Sequence, residues 1–233
     1  MPPPPNRPLK LSELVAETIR LYGDRPAASL GLGAVVAGAF LLAGASPALL
    51  EVLILSLAFT LSYAAAARLA SGDSFPEAWA QVALRLPVLA ILTLIVAVPF
   101  ALAVGFLLLL IFAVLWLALS GFSIPVAMLE READGSGAFG RLSHALDRSL
   151  QLARAEYLHA AGVAAALVLI YLVFGILIGG ALTGFADNSE TAAVALVQLV
   201  LSPFFFLGLS VLYFEQRARV AERAPAEPSE RAR

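Results

Sequence analysis

Three long stretches almost free of formal charge dominate this sequence. Between Arg25 and Arg68 lie 42 residues whose only formal charge is Glu51, between Arg85 and Glu130 lie 44 with none, and between Glu156 and Glu215 lie 58 carrying only Asp187 and Glu190. A helix needs about 20 apolar residues to cross a hydrocarbon core of roughly 30 Å, and 44 residues of unbroken helix would measure about 65 Å. Each stretch is therefore two crossings, not one. Turn chemistry at Gly44-Ala45-Ser46-Pro47 folds the first back on itself, and the segment from Gly184 to Thr191 does the same for the third. The second has no polar turn, and Pro99 and Gly105 are its only breakers, so its boundary is open by several residues. The expected fold class is all-α: a polytopic transmembrane helical bundle with six spans as three hairpins, at about 27–44, 47–68, 86–104, 107–129, 157–183 and 192–214.

Composition agrees. Hydrophobic residues make up 61% and charged residues 14% of the 233, against about 45–50% and about 25% in soluble domains. Such a chain cannot cover its own surface with polar groups and needs lipid as solvent. A net charge of −2 excludes a globally basic nucleic-acid binder. The absence of cysteine excludes disulfides, thiolate metal sites and cysteine nucleophiles. Lys10 is the only lysine among 15 basic residues, an arginine bias that, with abundant Ala and Gly, fits a GC-rich bacterial genome.

The basic residues also set the orientation. Four precede the first span, two lie between the second and third, four between the fourth and fifth, and five follow the sixth, with none on the three opposite turns. Both termini are therefore expected in the cytoplasm, and the protein in a bacterial cytoplasmic (inner) membrane. Met1-Pro2-Pro3-Pro4-Pro5 is polyproline-like and lacks the pattern of a secretory signal.

The segments outside the spans are short and amphipathic. Residues 1–26 form a Pro-rich start and an interfacial helix in which Leu11, Leu14, Val15, Thr18, Ile19 and Tyr22 share a face, with Ser12 as N-cap and Pro26 opening the next helix. Residues 74–85 form a second interfacial helix, with Ser74 and Glu77 at capping-box spacing and Trp79 suited to the headgroup layer. The third, 139–155, follows a loop marked by Asp134-Gly135-Ser136-Gly137. It sets Phe139, Leu142, Leu146, Leu150, Ala153 and Tyr157 against a polar arc with Arg141, His144, Asp147, Arg148, Gln151 and Arg154. Arg141, Arg148 and Arg154 are the candidate contacts for anionic lipid, at about 1 kcal/mol per basic residue near a charged surface; ordinary anchoring explains them as well. Residues 27–214 are then the membrane domain and 215–233 a disordered tail.

No catalytic, cofactor-binding or metal-ligating set stands out. No ionisable residue falls at mid-depth of a span, where transporters and pumps carry them, and Glu51 sits near the outer interface. Gln198 is the most polar group inside a span and reads as interhelical glue. Thr60, Ser62, Thr93, Ser120, Ser123 and Ser202 are expected to bond to their own helix backbones, and Pro99, Pro125 and Pro203 are candidate kinks. His144 and His159 are fifteen residues apart, outside any metal-ligand spacing. Gly175 and Gly179, with Gly180 and Gly184, read as a stripe for close helix contact.

Several segments resemble a known family in order along the chain. They are the opening Leu11-Ser12-Glu13-Leu14-Val15-Ala16-Glu17-Thr18-Ile19-Arg20-Leu21-Tyr22, then Pro125-Val126-Ala127-Met128-Leu129-Glu130, then Ala145-Leu146-Asp147-Arg148-Ser149-Leu150, and finally Leu212-Tyr213-Phe214-Glu215-Gln216-Arg217. Together they are similar to bacterial six-span proteins related to the membrane domain of glycerophosphoryl diester phosphodiesterases. The sequence departs from that pattern at the entry to the fourth span, which lacks the family's Pro-Gly, and at Ala155, where the family often has Gly. The resemblance implies an architecture, not a reaction, because the phosphodiesterase chemistry of such proteins resides in a separate soluble barrel, which this sequence is not expected to carry.

The expected function is thus non-enzymatic: a membrane scaffold or accessory protein contacting the bilayer, including anionic lipids, and a membrane-protein partner or a second copy of itself. The alternative is a permease or lipid transporter with a cavity between kinked spans.

Overall fold

The computed structural model describes residues 4–5, 7–44, 46–104, 109–130, 137–183 and 190–223. Every regular element among them is helical: α1 (Leu11–Asp24), α2 (Pro26–Ala43), α3 (Ala48–Ala70), α4 (Phe75–Leu84), α5 (Leu86–Leu92), a π-helical turn (Thr93–Ala97), α6 (Val98–Val104), α7 (Leu110–Ser120), α8 (Ser123–Leu129), α9 (Ala138–Ala155), α10 (Tyr157–Thr183) and α11 (Glu190–Arg223). Five segments are long and apolar enough to cross a membrane: Pro26–Ala43, Ala48–Ala70, Leu110–Leu129, Tyr157–Leu182 and Thr191–Arg223. Phe75–Leu84 with Leu86–Leu102, bent by 78° at their junction, makes a sixth if taken as one broken span. Leu42, Leu49, Ile111, Phe112 and Ile176 stand exposed on these helices, a surface suited to lipid and not to water. This is the architecture of a multi-pass membrane protein.

Local chemistry explains where the helices begin and end. Helix α1 starts at Leu11, so Lys10 and not Ser12 occupies the cap position. The reason is Glu13: its carboxylate accepts the Lys10 backbone N–H at 2.8 Å and also holds Arg7 at 2.9 Å. Helix α3 closes with Gly72 at φ 112°, Gly72 N–H bonding to Leu69 O and Asp73 N–H to Leu69's neighbour Arg68 O, the Schellman arrangement that only glycine enters without strain. At α4 the expected capping box is present, with Ser74 N–H and Oγ both on Glu77 Oε2 at 2.9 and 2.6 Å. The Ser74 hydroxyl, and then its backbone N–H, hold the Glu77 carboxyl below its ordinary pKa. Pro125 causes no mid-helix kink, because a break after Ser120 places it in the first turn of α8, where a missing N–H costs nothing.

Pro99 acts differently. It has no N–H for the carbonyls behind it, and there the helix widens: Val98 N–H reaches back five residues to Thr93 O. The Ile95 carbonyl, four residues before Pro99, accepts Trp116 Nε1–H from α7 at 3.0 Å. Trp116→Phe should therefore lower stability by about 1 kcal/mol, the net worth of one hydrogen bond. Adding Pro99→Ala, which restores a backbone donor, should recover most of it in thermal unfolding; equal melting of the single and double variants would separate Trp116 from the π-helical turn.

Helix α11 is the hub, packing against α1, α2, α3, α9 and α10. Its length is a departure from expectation. It continues to Arg223, so residues 215–223, expected as part of a disordered tail, are helical. Their charges find partners that favour the helical course, Arg219 on Glu156 and Glu215 and Arg223 on the Ala155 carbonyl. Within α1, Leu14, Thr18 and Leu21 are buried, whereas Leu11 and Ile19 of the expected apolar face are exposed. On α9 the buried line is Ala145, Ser149, Leu152 and Ala153, and Phe139 is 82% exposed.

Small residues set the helix spacing. Ala64, Ala65, Ala66 and Ala67 of α3 are all fully buried, so α3 is enclosed on every side at this level. The expected glycine stripe is looser than its spacing implied: a Cβ at Gly175 or Gly179 would lie 3.6 or 3.9 Å from Val197, ordinary contact, and at Gly180 it would meet nothing within 4 Å. The tight approach lies at Gly33, against α11. Thr60, Thr93, Ser120 and Ser123 do bond to backbone carbonyls of their own or the adjoining turn. Two of the expected six do not. Ser62 Oγ crosses to Leu32 O of α2 at 3.2 Å because α2 passes close beside it, and Ser202 Oγ takes the Gln198 side chain at 2.8 Å. The boundary between third and fourth spans, the turn over 184–189, the 131–136 loop and residues 224–233 lie outside the described residues.

Candidate functional site

Between α2, α3, α6, α10 and α11 the bundle leaves a cavity of about 260 Å³. Three features keep it open. The π-helical turn carries Ala97 to its edge and α6 adds Ala101 one turn on, so that one wall is methyl groups. Opposite stand Phe205 and Phe206 of α11, and Phe59 and Phe100 complete the aromatic side, with Phe59 edge-on to Phe206 at 4.9 Å between centroids. Pro203 interrupts the hydrogen bonding of α11 beside it.

One polar cluster interrupts these walls. Tyr171 Oη of α10 donates to Gln198 Oε1 of α11, and Ser202 Oγ donates to the same oxygen at 2.8 Å. Gln198 thus joins two helices, as its reading as interhelical glue expected, and it also lines the cavity. Ser56 of α3, 2% exposed, also lines the cavity and has a hydroxyl with no partner. A cavity that is apolar apart from a few convergent polar groups is the usual form of a small-molecule site.

Away from the cavity, two clusters of charged residues tie α8, α9, α10 and α11 together. In the first, Glu130 at the end of α8 accepts Tyr213 Oη at 3.1 Å and Arg148 Nε at 3.2 Å, with His144 Nε2 at 3.9 Å from the same carboxylate. Arg148 also donates to Gln151 at 3.1 Å. Glu130, Arg148 and Tyr213 come from three of the segments that carry the family resemblance, and the fold brings them into one network. In the second cluster Glu215, fully buried, takes Arg219 Nε and lies 3.3 Å from His159 Nε2, while Arg219 also holds Glu156. Arg223 closes on the Ala155 carbonyl at the α9–α10 corner. The two histidines are thus in separate clusters, and among the described residues no group of three metal-ligating side chains forms.

The three arginines singled out as lipid contacts do not behave alike. Arg141 and Arg154 are exposed on α9, whereas Arg148 turns inward to Glu130. Sequence reasoning named Gln198 and Ser202 but missed Tyr171 and Ser56. Both are polar groups inside stretches almost free of charge, and the i, i+4 pair Ala97 and Ala101 was the remaining signal for a gap in the packing.

Comparison with protein-family models, with curated proteins and with solved structures finds no match for this chain.

Proposed function

We propose that this chain is a six-span, non-enzymatic protein of a bacterial cytoplasmic membrane, built as three hairpins with both termini cytoplasmic. In this reading it serves as a lipid-contacting scaffold or accessory protein, with the architecture of the phosphodiesterase membrane-domain family that its motifs resemble. Helices α1, α4 and α9 lie at the cytoplasmic interface. One observation carries the reading: charge and apolar surface are segregated along the helices. The ion pairs Arg68–Asp73, Arg148–Glu130 and Arg219–Glu156 join segments at the ends of spans, and most of the exposed Leu, Ile and Phe side chains lie on the spans, the others (Leu11, Ile19, Leu84 and Phe139) being on α1, α4 and α9, where an interfacial helix meets lipid. Arg154, exposed on α9, supplies attraction for anionic headgroups together with the rest of the polar arc, in which Arg148 pairs with Glu130.

The absence of cysteine makes the test direct. Ser46→Cys and Ser189→Cys should each react with an impermeant maleimide added to intact cells, and Ser136→Cys should react only after lysis. Labelling of the Ser136→Cys protein in intact cells would overturn the topology. A second reading, a permease or lipid transporter, is favoured by the cavity beside the π-helical turn and Pro203, which lies inside the continuous helix α11; lipid flux across proteoliposomes distinguishes it from the accessory role.

A further inference from the structure

We propose that the cavity binds the carbonyl end of a neutral, lipid-soluble molecule, with the Gln198 amide and the Ser56 hydroxyl as its hydrogen-bond donors. The inference rests on the reading of the chain as a lipid-contacting membrane protein and names what one site in it would take.

The polar cluster dictates the ligand's chemistry. A side-chain amide offers two lone pairs on oxygen and two N–H donors. Tyr171 and Ser202 occupy the oxygen of Gln198 from two directions, which fixes the amide plane and leaves the N–H groups as its remaining capacity toward the cavity it lines. Ser56 adds a hydroxyl that does not turn back on its own helix as Thr60 and Thr93 do. A buried hydroxyl without a partner is unfavourable until something accepts from it. Both groups call for an acceptor. The walls disfavour a charged one, since among the described residues no carboxylate or base lines the cavity and its bulk is phenyl and methyl. The neutral acceptor common in membranes is a carbonyl, on a quinone-type ring or on an acyl ester.

The space suits one end of such a molecule. A dry apolar cavity of about 150 Å³ holds a benzene, so about 260 Å³ holds roughly ten heavy atoms: a substituted ring, or an ester group with a few methylenes. The remainder of the ligand would lie outside the cavity, among the spans or in lipid.

The test uses the full chain in detergent and three probes: a short-tailed benzoquinone, dioctanoylglycerol, and dodecane as a carbonyl-free control. With no cysteine in the chain, a quinone cannot register through thiol adducts. At least one carbonyl probe should raise the melting temperature saturably and dodecane should not; which one does so identifies the source of the carbonyl. Gln198→Leu should weaken its Kd about five- to tenfold. Ser56→Ala, which removes one atom and threatens folding least, should weaken it several-fold, and Ala97→Phe, which fills the space, should abolish binding. Failure of both carbonyl probes to bind, dodecane binding as tightly, or wild-type affinity in Ser56→Ala and Gln198→Leu would each overturn the proposal. The cysteine labelling is independent of these probes. If it reports six spans while the probes fail, the ligand is wrong and the membrane reading stands.

Discussion

Gly33→Leu should leave no folded protein to purify, and Gly33→Ala should already melt well below the wild type. Pro203 cannot donate to the Leu199 carbonyl four residues behind it, and α2 presses on α11 at that oxygen. A Cβ built on Gly33 would stand 2.0 Å from Leu199 O, 2.7 Å from its carbonyl carbon and 2.9 Å from its Cα. These are backbone atoms and cannot swing aside, so the two helices would have to separate. Overpacking that flexible side chains can absorb costs about 1–3 kcal/mol, and a backbone collision at the hub helix belongs at the upper end or beyond. Gly38 lies on the same helix with nothing within 4 Å of its Cβ position, and Gly38→Ala should be neutral. Thermal unfolding in detergent compares the three variants. Equal melting of Gly33→Ala and Gly38→Ala would mean that α2 does not approach α11 as closely as described.

Arg219→Met should be the most damaging change among the charged residues. Glu215 is fully buried, and Arg219 is the permanent cation on it; the other neighbours are His159 and the Gln216 amide. Removing one partner of a buried ion pair leaves an uncompensated charge and typically costs about 3–5 kcal/mol, whereas replacing both by apolar groups is often neutral. The double variant Arg219→Met with Glu215→Met should therefore melt above the single one. If the double variant is the less stable, Glu215 is held by contacts other than the pair.

Both positions show how far the sequence could be read. The spacing of Arg25, Arg68, Arg85, Glu130, Glu156 and Glu215 was enough to place helices α2, α3, α10 and the paired α7–α8 segment close to their expected ends, because desolvating a charge decides where an apolar helix can stop. The capping residues Ser74 and Glu77 placed α4 for an equally local reason. What failed depended on partners far along the chain. The π-helical turn involves Trp116, from another helix, as well as Pro99. The helical course of 215–223 is supported by Glu156, more than fifty residues earlier in the chain. The special status of Gly33, one of several glycines in α2, comes from the Leu199 backbone on another helix. The cavity was legible least of all, since Gln198, Tyr171 and Ser56 belong to three helices and periodicity assigns no distance between them.

The position of the hub along the chain has a consequence for biosynthesis. Helix α11 follows α1, α2, α3, α9 and α10 in chain order, yet all of them pack against it. As the ribosome delivers the chain, the earlier helices must wait in the bilayer with their α11-facing sides uncovered: Gly33, the alanine-rich face of α3 and the inner face of α10. Assembly then becomes a late, nearly all-or-none event, not a stepwise accretion of hairpins, and the waiting intermediate is the species that membrane proteases and insertion chaperones would meet. Slow translation ahead of residue 190 would lengthen that exposure, so the abundance of this protein should depend on how quickly its last described helix is made.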